Sequence, residues 1–250
     1  MTEAAKKLTK DDGSQYGLCL RNDNNQAGYY NLIYDNGGYI INDDKTKSGM
    51  DDPKTVEAME MLEGWIKDGV LPPIETMSEN GEDVLLESGK VAMVPQGSWM
   101  IAAFRDNEYT AENCDCVELP KSATTGRRAS LYNGLGWAAA ANTEHPEEAW
   151  QLIEYLGSKE AQEKQAELGV TMSAYTGTSE AWAKSANFNL QAYINMMDDM
   201  EIRPYSRSTV TWENKNSEIL KSVYSGDKTM ADACKEMAEQ MNESLAEEQQ

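Results

Sequence analysis

The sequence predicts an α/β architecture, and three observations predict it. Short β-prone segments at 16–20, 91–94, 114–119 and 138–141 are interleaved with amphipathic stretches of about 10–17 residues. Several of those stretches open on capping residues, as at Asp51-Asp52-Pro53 and Ser158. Glycines stop them, as at Gly69, Gly157 and Gly169.

Taken in order, residues 1–8 read as an amphipathic helix with only Met1 ahead of it. A turn at 10–13 leads to the alternating segment 16–20. A polar loop from residue 22 enters the aromatic run Tyr29, Tyr30, Tyr34, which breaks at Gly37-Gly38. The helix after Asp52 has Val56, Met59, Leu62 and Ile66 as its expected buried stripe. A short acidic helix at 79–88 precedes the strand 91–94, after which Ser98 is expected to cap a helix running to Phe104. Residues 121–128 read as an exposed hairpin or hinge approach. Helices are expected at 147–156, 159–168, 179–186, 190–200, 213–224 and 229–245.

Charge and composition bound the function. The chain has 250 residues, with 22 Lys and Arg against 43 Asp and Glu and a net charge of −21. Such a surface repels phosphate backbones and anionic lipid, which argues against a nucleic-acid partner. No apolar run reaches the roughly 18–20 residues that span a bilayer. A single histidine, His145, excludes a two-histidine metal site and disfavours a Ser-His-Asp apparatus. No Gly-x-x-x-x-Gly-Lys-Ser/Thr loop or Gly-x-Gly-x-x-Gly turn is present. No cofactor or metal is expected. Cys19, Cys114, Cys116 and Cys234 permit three full pairings, among which sequence does not choose; structural thiols are the expected state.

One stretch carries more information than the rest: Gly89-Lys-Val-Ala-Met-Val-Pro-Gln-Gly-Ser-Trp-Met100. It is followed by Asn133-Gly-Leu-Gly-Trp137 and by the helix Pro146-Glu-Glu-Ala-Trp150, with a closing helix after Ser225-Gly226. An indole and a hydroxyl at a helix N-terminus suit a sugar, which needs a flat apolar platform and several hydrogen bonds. In this order and spacing the segments resemble the extracellular solute-binding proteins of bacterial sugar ABC importers, the group that includes the maltose-binding proteins.

The resemblance implies a periplasmic-binding-protein-like fold of type II, with two α/β lobes joined by hinge strands that close on a carbohydrate. It places residues 1–131 in the first part of the C-terminal lobe, 132–178 in a return segment of the N-terminal lobe with hinge strands, and 179–250 in the closing helices of the C-terminal lobe. The C-terminal lobe would be nearly complete and the N-terminal lobe only partly represented. An amino-terminal portion would then be absent, leaving Trp150, Ile153 and Leu156 short of cover and ligand binding by this fragment weak or absent. The resemblance further implies a monomer outside the cell or in the periplasm, permease subunits as partners, and membrane attachment only through a lipid anchor on the absent portion.

The candidate ligand-binding residues are Tyr30, Ser98, Trp99, Asn133, Gly134, Trp212 and Arg207. Trp99 falls where the family places a sugar-stacking aromatic, with Ser98 beside it; a core tryptophan is the alternative. Tyr30 reads as a cleft aromatic or as packing within its lobe. Trp212 reads as a late cleft aromatic or as a core anchor for its helix. Arg207, like Arg203, would bridge hydroxyls or form a solvated ion pair. At Asn133-Gly134 a hinge strand passes the cleft, or a bulge stands without ligand. Trp137 reads as packing. Two other classes stay open: a glycoside hydrolase using paired carboxylates, for which 43 acids give no specificity, and an acidic surface interaction module.

Overall fold

The computed structural model describes residues 1–21 and 26–249. The first part of the polar loop read from residue 22 lies outside them. The helices are α1 (Thr2–Leu8), α2 (Tyr30–Asp35), α3 (Pro53–Lys67), α4 (Ile74–Glu79), α5 (Glu82–Glu87), α6 (Ile101–Asp106), α7 (Glu108–Asn113), α8 (Pro146–Leu156), α9 (Lys159–Glu167), α10 (Ser179–Ala183), α11 (Gln191–Asn195), α12 (Thr209–Tyr224) and α13 (Met230–Glu248). Strands β1 (Ser130–Tyr132) and β2 (Met200–Ile202) pair in parallel, with Tyr132 opposite Ile202.

The chain divides into two units. The first comprises 1–95, 119–132 and 198–250; the second comprises 96–118 and 133–197. Residues 96–118 and 179–197 fall with 133–178 in the second unit. The reason lies in contacts that sequence does not display. Ser98 meets Thr171, Arg105 donates to the carbonyl of Leu168, the Tyr193 hydroxyl donates to the Gln96 carbonyl, and Asn195 donates to Glu118.

In the first unit, α13 shows why helical periodicity builds a core. Met230, Ala233, Cys234, Met237, Ala238, Met241, Ser244 and Leu245 recur every three or four residues and are all buried. They pack with α12 and α3. The buried face of α3 is Thr55, Ala58, Met59, Leu62 and Trp65, rotated slightly from the expected stripe, so Val56 and Ile66 lie only half-buried at its margin. Asp52 caps α3 by accepting from the Lys54 amide, and Thr229 caps α13 by accepting from Asp232, each satisfying an amide that the helix leaves free. Segment 16–20, read as a strand, forms only an isolated bridge at Tyr16. Its backbone bonds to Lys90, Ala92 and Met93 on one side and Val70 on another, a rudimentary parallel ladder with a single bridge at Tyr16–Val91.

In the second unit the core gathers around Trp182, which is fully buried and edge-on to Tyr193 with ring centroids 5.6 Å apart. Here two expected strands fail to form. Residues 114–119 and 138–141 lie outside any ladder, and 133–141 are solvent-exposed. Alternation supplies a face but not a partner strand. The helices at 146–156 and 159–167 form as read, with Ser158 accepting from Ala161 as a cap. No residue of α8 is buried; Trp150 is 61% exposed, whereas Ile153 and Leu156 are half-buried. The helix read at 190–200 ends at Asn195 and gives way to a 3-10 turn and β2. All four cysteines are free thiols. Burial pushes Cys19 and Cys234 up to about 12 and Cys116 up to about 11, so these three are poor nucleophiles.

Candidate functional site

Of the seven candidate residues, Tyr30, Trp212 and Arg207 belong to the first unit, and Ser98, Trp99, Asn133 and Gly134 to the second.

Trp99 lies in a single 3-10 turn, Ser98–Met100, that runs into α6. Its indole is 42% exposed and folds back over Gly97: a Cβ built on Gly97 would sit 2.0 Å from Cζ3 of the ring. Glycine therefore provides the seat for the ring, and nothing larger fits without moving it. Ser98 does not cap the helix as expected. Its hydroxyl lies 3.0 Å from that of Thr171, a tertiary partner that outcompetes the local amides. Asn133 and Gly134 are exposed, and Trp137, expected to pack, is 60% exposed.

The first-unit aromatics take the core alternative. Trp212 has no exposed surface, stands in the first turns of α12, and donates from its indole nitrogen to Ser206 at 2.9 Å. That helix begins at Thr209, four residues ahead of the start expected at 213. Tyr30 is equally buried, and its hydroxyl donates to Glu213 at 3.0 Å. Neither ring presents a face to solvent, so both act here as supports. Arg207 is exposed at its side chain, while its backbone amide donates to Glu248.

Sequence reasoning missed Glu213 and Glu248 as a polar framework around this segment; Arg203, read as bridging hydroxyls or forming an ion pair, is in an ion pair. Arg203 pairs with Glu213 at 2.5 Å, opposite the hydrogen bond from Tyr30. Glu248 gathers donations from the hydroxyls of Ser206 and Ser208 and the amides of Arg207 and Ser208. Desolvation alone would raise its pKa, but the hydrogen bonds from Ser208 and Ser206 and from the two amides hold it down at about 2. A second cluster surrounds Asp35 at the end of α2. Its carboxylate accepts from the Ala129 amide, and Arg128 pairs nearby with Asp199 at 2.8 Å. Burial pushes Asp35 up to about 7 against the opposing pull of the Ala129 amide and Arg127.

Among the described residues no group of three His, Cys, Asp or Glu side chains could hold a metal ion, and no helix is long and apolar enough to cross a membrane.

The fold is that of the type II periplasmic-binding-protein-like sugar-binding proteins. One similar solved structure is an ABC substrate-binding protein from Listeria monocytogenes in complex with cycloalternan. Its TM-score is 0.84 at 19% identity, covering 98% of this chain and 62% of that one. Another is an ABC transporter solute-binding protein from Thermotoga lettingae bound with α-D-tagatose, with a TM-score of 0.81, 23% identity and coverage of 98% and 63%. A third is the maltose/maltodextrin-binding domain of Bdellovibrio bacteriovorus bound to maltotriose, with a TM-score of 0.78, 19% identity and coverage of 98% and 65%. The chain thus spans less than two thirds of each of these structures. The profile of the bacterial extracellular solute-binding proteins matches residues 1–197, and the chain belongs to that family. Among curated proteins no sequence match was found.

Proposed function

We propose that this chain binds a carbohydrate as part of the substrate-binding component of an ABC importer. The observation that carries the reading is the half-exposed Trp99 indole seated on Gly97, with the Ser98 hydroxyl at its root. A pyranose offers a C–H face to such a plate and hydroxyls to the polar groups around it. Family membership supports a binding role without chemical turnover, and the sugars held by the similar solved structures support the ligand class. In this reading the protein works outside the cytoplasmic membrane as a monomer, tethered as a lipoprotein, and hands its ligand to permease subunits. Residues 1–131 and 179–250 are proposed to derive from the C-terminal lobe of the family, and 132–178 from its N-terminal lobe. Ser98, Asn133 and Gly134 are proposed as polar contacts in the second unit, and Arg207 as one in the first.

The test is calorimetric titration with maltotriose and D-tagatose. Trp99→Ala is expected to weaken binding by about 1–3 kcal/mol, from loss of the stacking surface. Stability should change little, because the ring is already half in solvent. An unchanged dissociation constant removes Trp99 from the site, and sustained release of sugar from a chromogenic glycoside replaces the binding role with hydrolysis.

A further inference from the structure

Asparagine followed by glycine occurs three times in the chain, at Asn36-Gly37, Asn80-Gly81 and Asn133-Gly134. The pair matters chemically because asparagine is thermolabile and glycine leaves the next backbone nitrogen unshielded by a side chain. That nitrogen attacks the side-chain amide carbon when two conditions hold. The carboxamide must be free to swing onto its own backbone, and the following N–H must not be held in a hydrogen bond. The fold treats the three pairs differently.

At Asn36 both conditions fail. The residue follows α2 and is 9% exposed, and its Nδ2 donates to the Lys54 carbonyl at 2.8 Å and to Glu57 at 3.1 Å. The Gly37 amide donates to the Tyr34 carbonyl at 3.0 Å. At Asn80 the first condition fails, because Nδ2 donates back to the Thr76 carbonyl at 3.4 Å and ties the side chain to α4. Gly81 then precedes α5, and a Cβ built on it would meet an Asp83 carboxylate oxygen at 2.3 Å. A negative charge thus stands beside a nitrogen that must lose its proton to react.

Asn133-Gly134 meets both conditions. Strand β1 ends at Tyr132, whose carbonyl takes the Arg203 amide, and residues 133–139 make no backbone hydrogen bond among the described residues. Both residues of the pair are exposed. Among the described residues, neither the Asn133 carboxamide nor the Gly134 amide has a hydrogen-bond partner.

We propose that Asn133 is a site of spontaneous covalent modification, deamidating through a cyclic imide closed by Gly134. The Gly134 nitrogen gives its proton to hydroxide and bonds to Cγ of Asn133. The Cγ–Nδ2 bond breaks, and Nδ2 leaves as ammonia after taking a proton from water. A second water molecule opens the imide. Opening at Cγ yields aspartate, whereas opening at the main-chain carbonyl yields isoaspartate, whose backbone runs through the side chain and is one methylene longer. The balance is one water consumed and one ammonia released, with nothing oxidised or reduced. Either product replaces an amide that donates and accepts by a carboxylate that only accepts. The new charge and the longer backbone fall directly after β1, where the chain leaves the first unit for the second. The step does not depend on the carbohydrate-binding reading.

The experiment holds the wild-type chain at pH 6 and pH 8 and follows its digests over time by tandem mass spectrometry. Aspartate and isoaspartate are expected at position 133 about tenfold or more faster than at 36 or 80, and faster at pH 8 than at pH 6. Gly134→Ala, at a glycine without a positive φ, is expected to slow the change at 133 and leave the melting temperature unmoved. In urea, which frees all three pairs, the rates are expected to converge. A folded chain that changes at 36 or 80 as fast as at 133 overturns the proposal. So does aspartate at 133 without isoaspartate, the product of direct side-chain hydrolysis. A rate order that persists in urea assigns the selection to local sequence and not to the fold, and overturns it as well.

Discussion

Asp35→Asn is expected to make the protein more stable at pH 8 and to leave it nearly unchanged at pH 4. The aspartate lies at the end of α2, buried, with its carboxylate on the Ala129 amide and its own carbonyl accepting from the Thr125 hydroxyl. Around it stand Arg127, Arg128 and Asp199, the first paired with Glu201 and the second with Asp199. Burial is the largest influence and raises its pKa to about 7, against about 3.9 for an ordinary aspartate. A carboxyl whose folded pKa is raised holds its proton more tightly in the native state. Its contribution is therefore greatest below pH 4, declines as pH climbs from 4 to 7, and reaches its floor above 7. Asparagine keeps an acceptor for Ala129 and carries no charge at any pH. The gain at pH 8 is of the order of 2–4 kcal/mol. Urea unfolding of both proteins at pH 4.5 and pH 8 reads it directly, and equal differences at the two pH values would refute the assignment.

Trp212→Ala is expected to cost about 3–5 kcal/mol of stability, the range for removing a fully buried large side chain. The indole is sealed in the core of the first unit, and its nitrogen donates to Ser206, whose hydroxyl also reaches Glu248. Deletion would open a cavity and unfasten the segment 206–208 from the start of α12. Denaturant midpoints decide the matter: a loss under 1 kcal/mol would mean that the ring contributes little to the core. The contrast with Trp99→Ala is the point of the pair. One tryptophan is expected to govern stability and the other affinity, although both look alike in sequence.

That contrast shows where sequence reading succeeded and where it ran out. Helices α3, α9 and α13 were legible because their signals are local: a capping side chain two or three residues from the amide it serves, and an apolar period of three to four. The strand read at 138–141 was not, because alternation states which face is apolar and leaves the pairing partner unspecified. Ser98 had every local mark of a cap, yet Thr171, 73 residues away, holds its hydroxyl. The indole of Trp212 and the indole of Trp99 differ only in what folds over them. Within the candidate site, Trp99 and Ser98 were readable as a motif. The Arg203–Glu213 pair was not, because it joins residues on either side of a turn with no spacing rule to announce it.

The seat beneath Trp99 bears on how a protein of this kind would change its diet. Because the ring rests where a methyl group at position 97 would stand, the tilt of the plate is set two residues upstream of the plate itself. On the proposed carbohydrate reading, a lineage, or an engineer, altering that one backbone position would re-aim the aromatic without touching it, while every hydrogen-bonding side chain stayed the same.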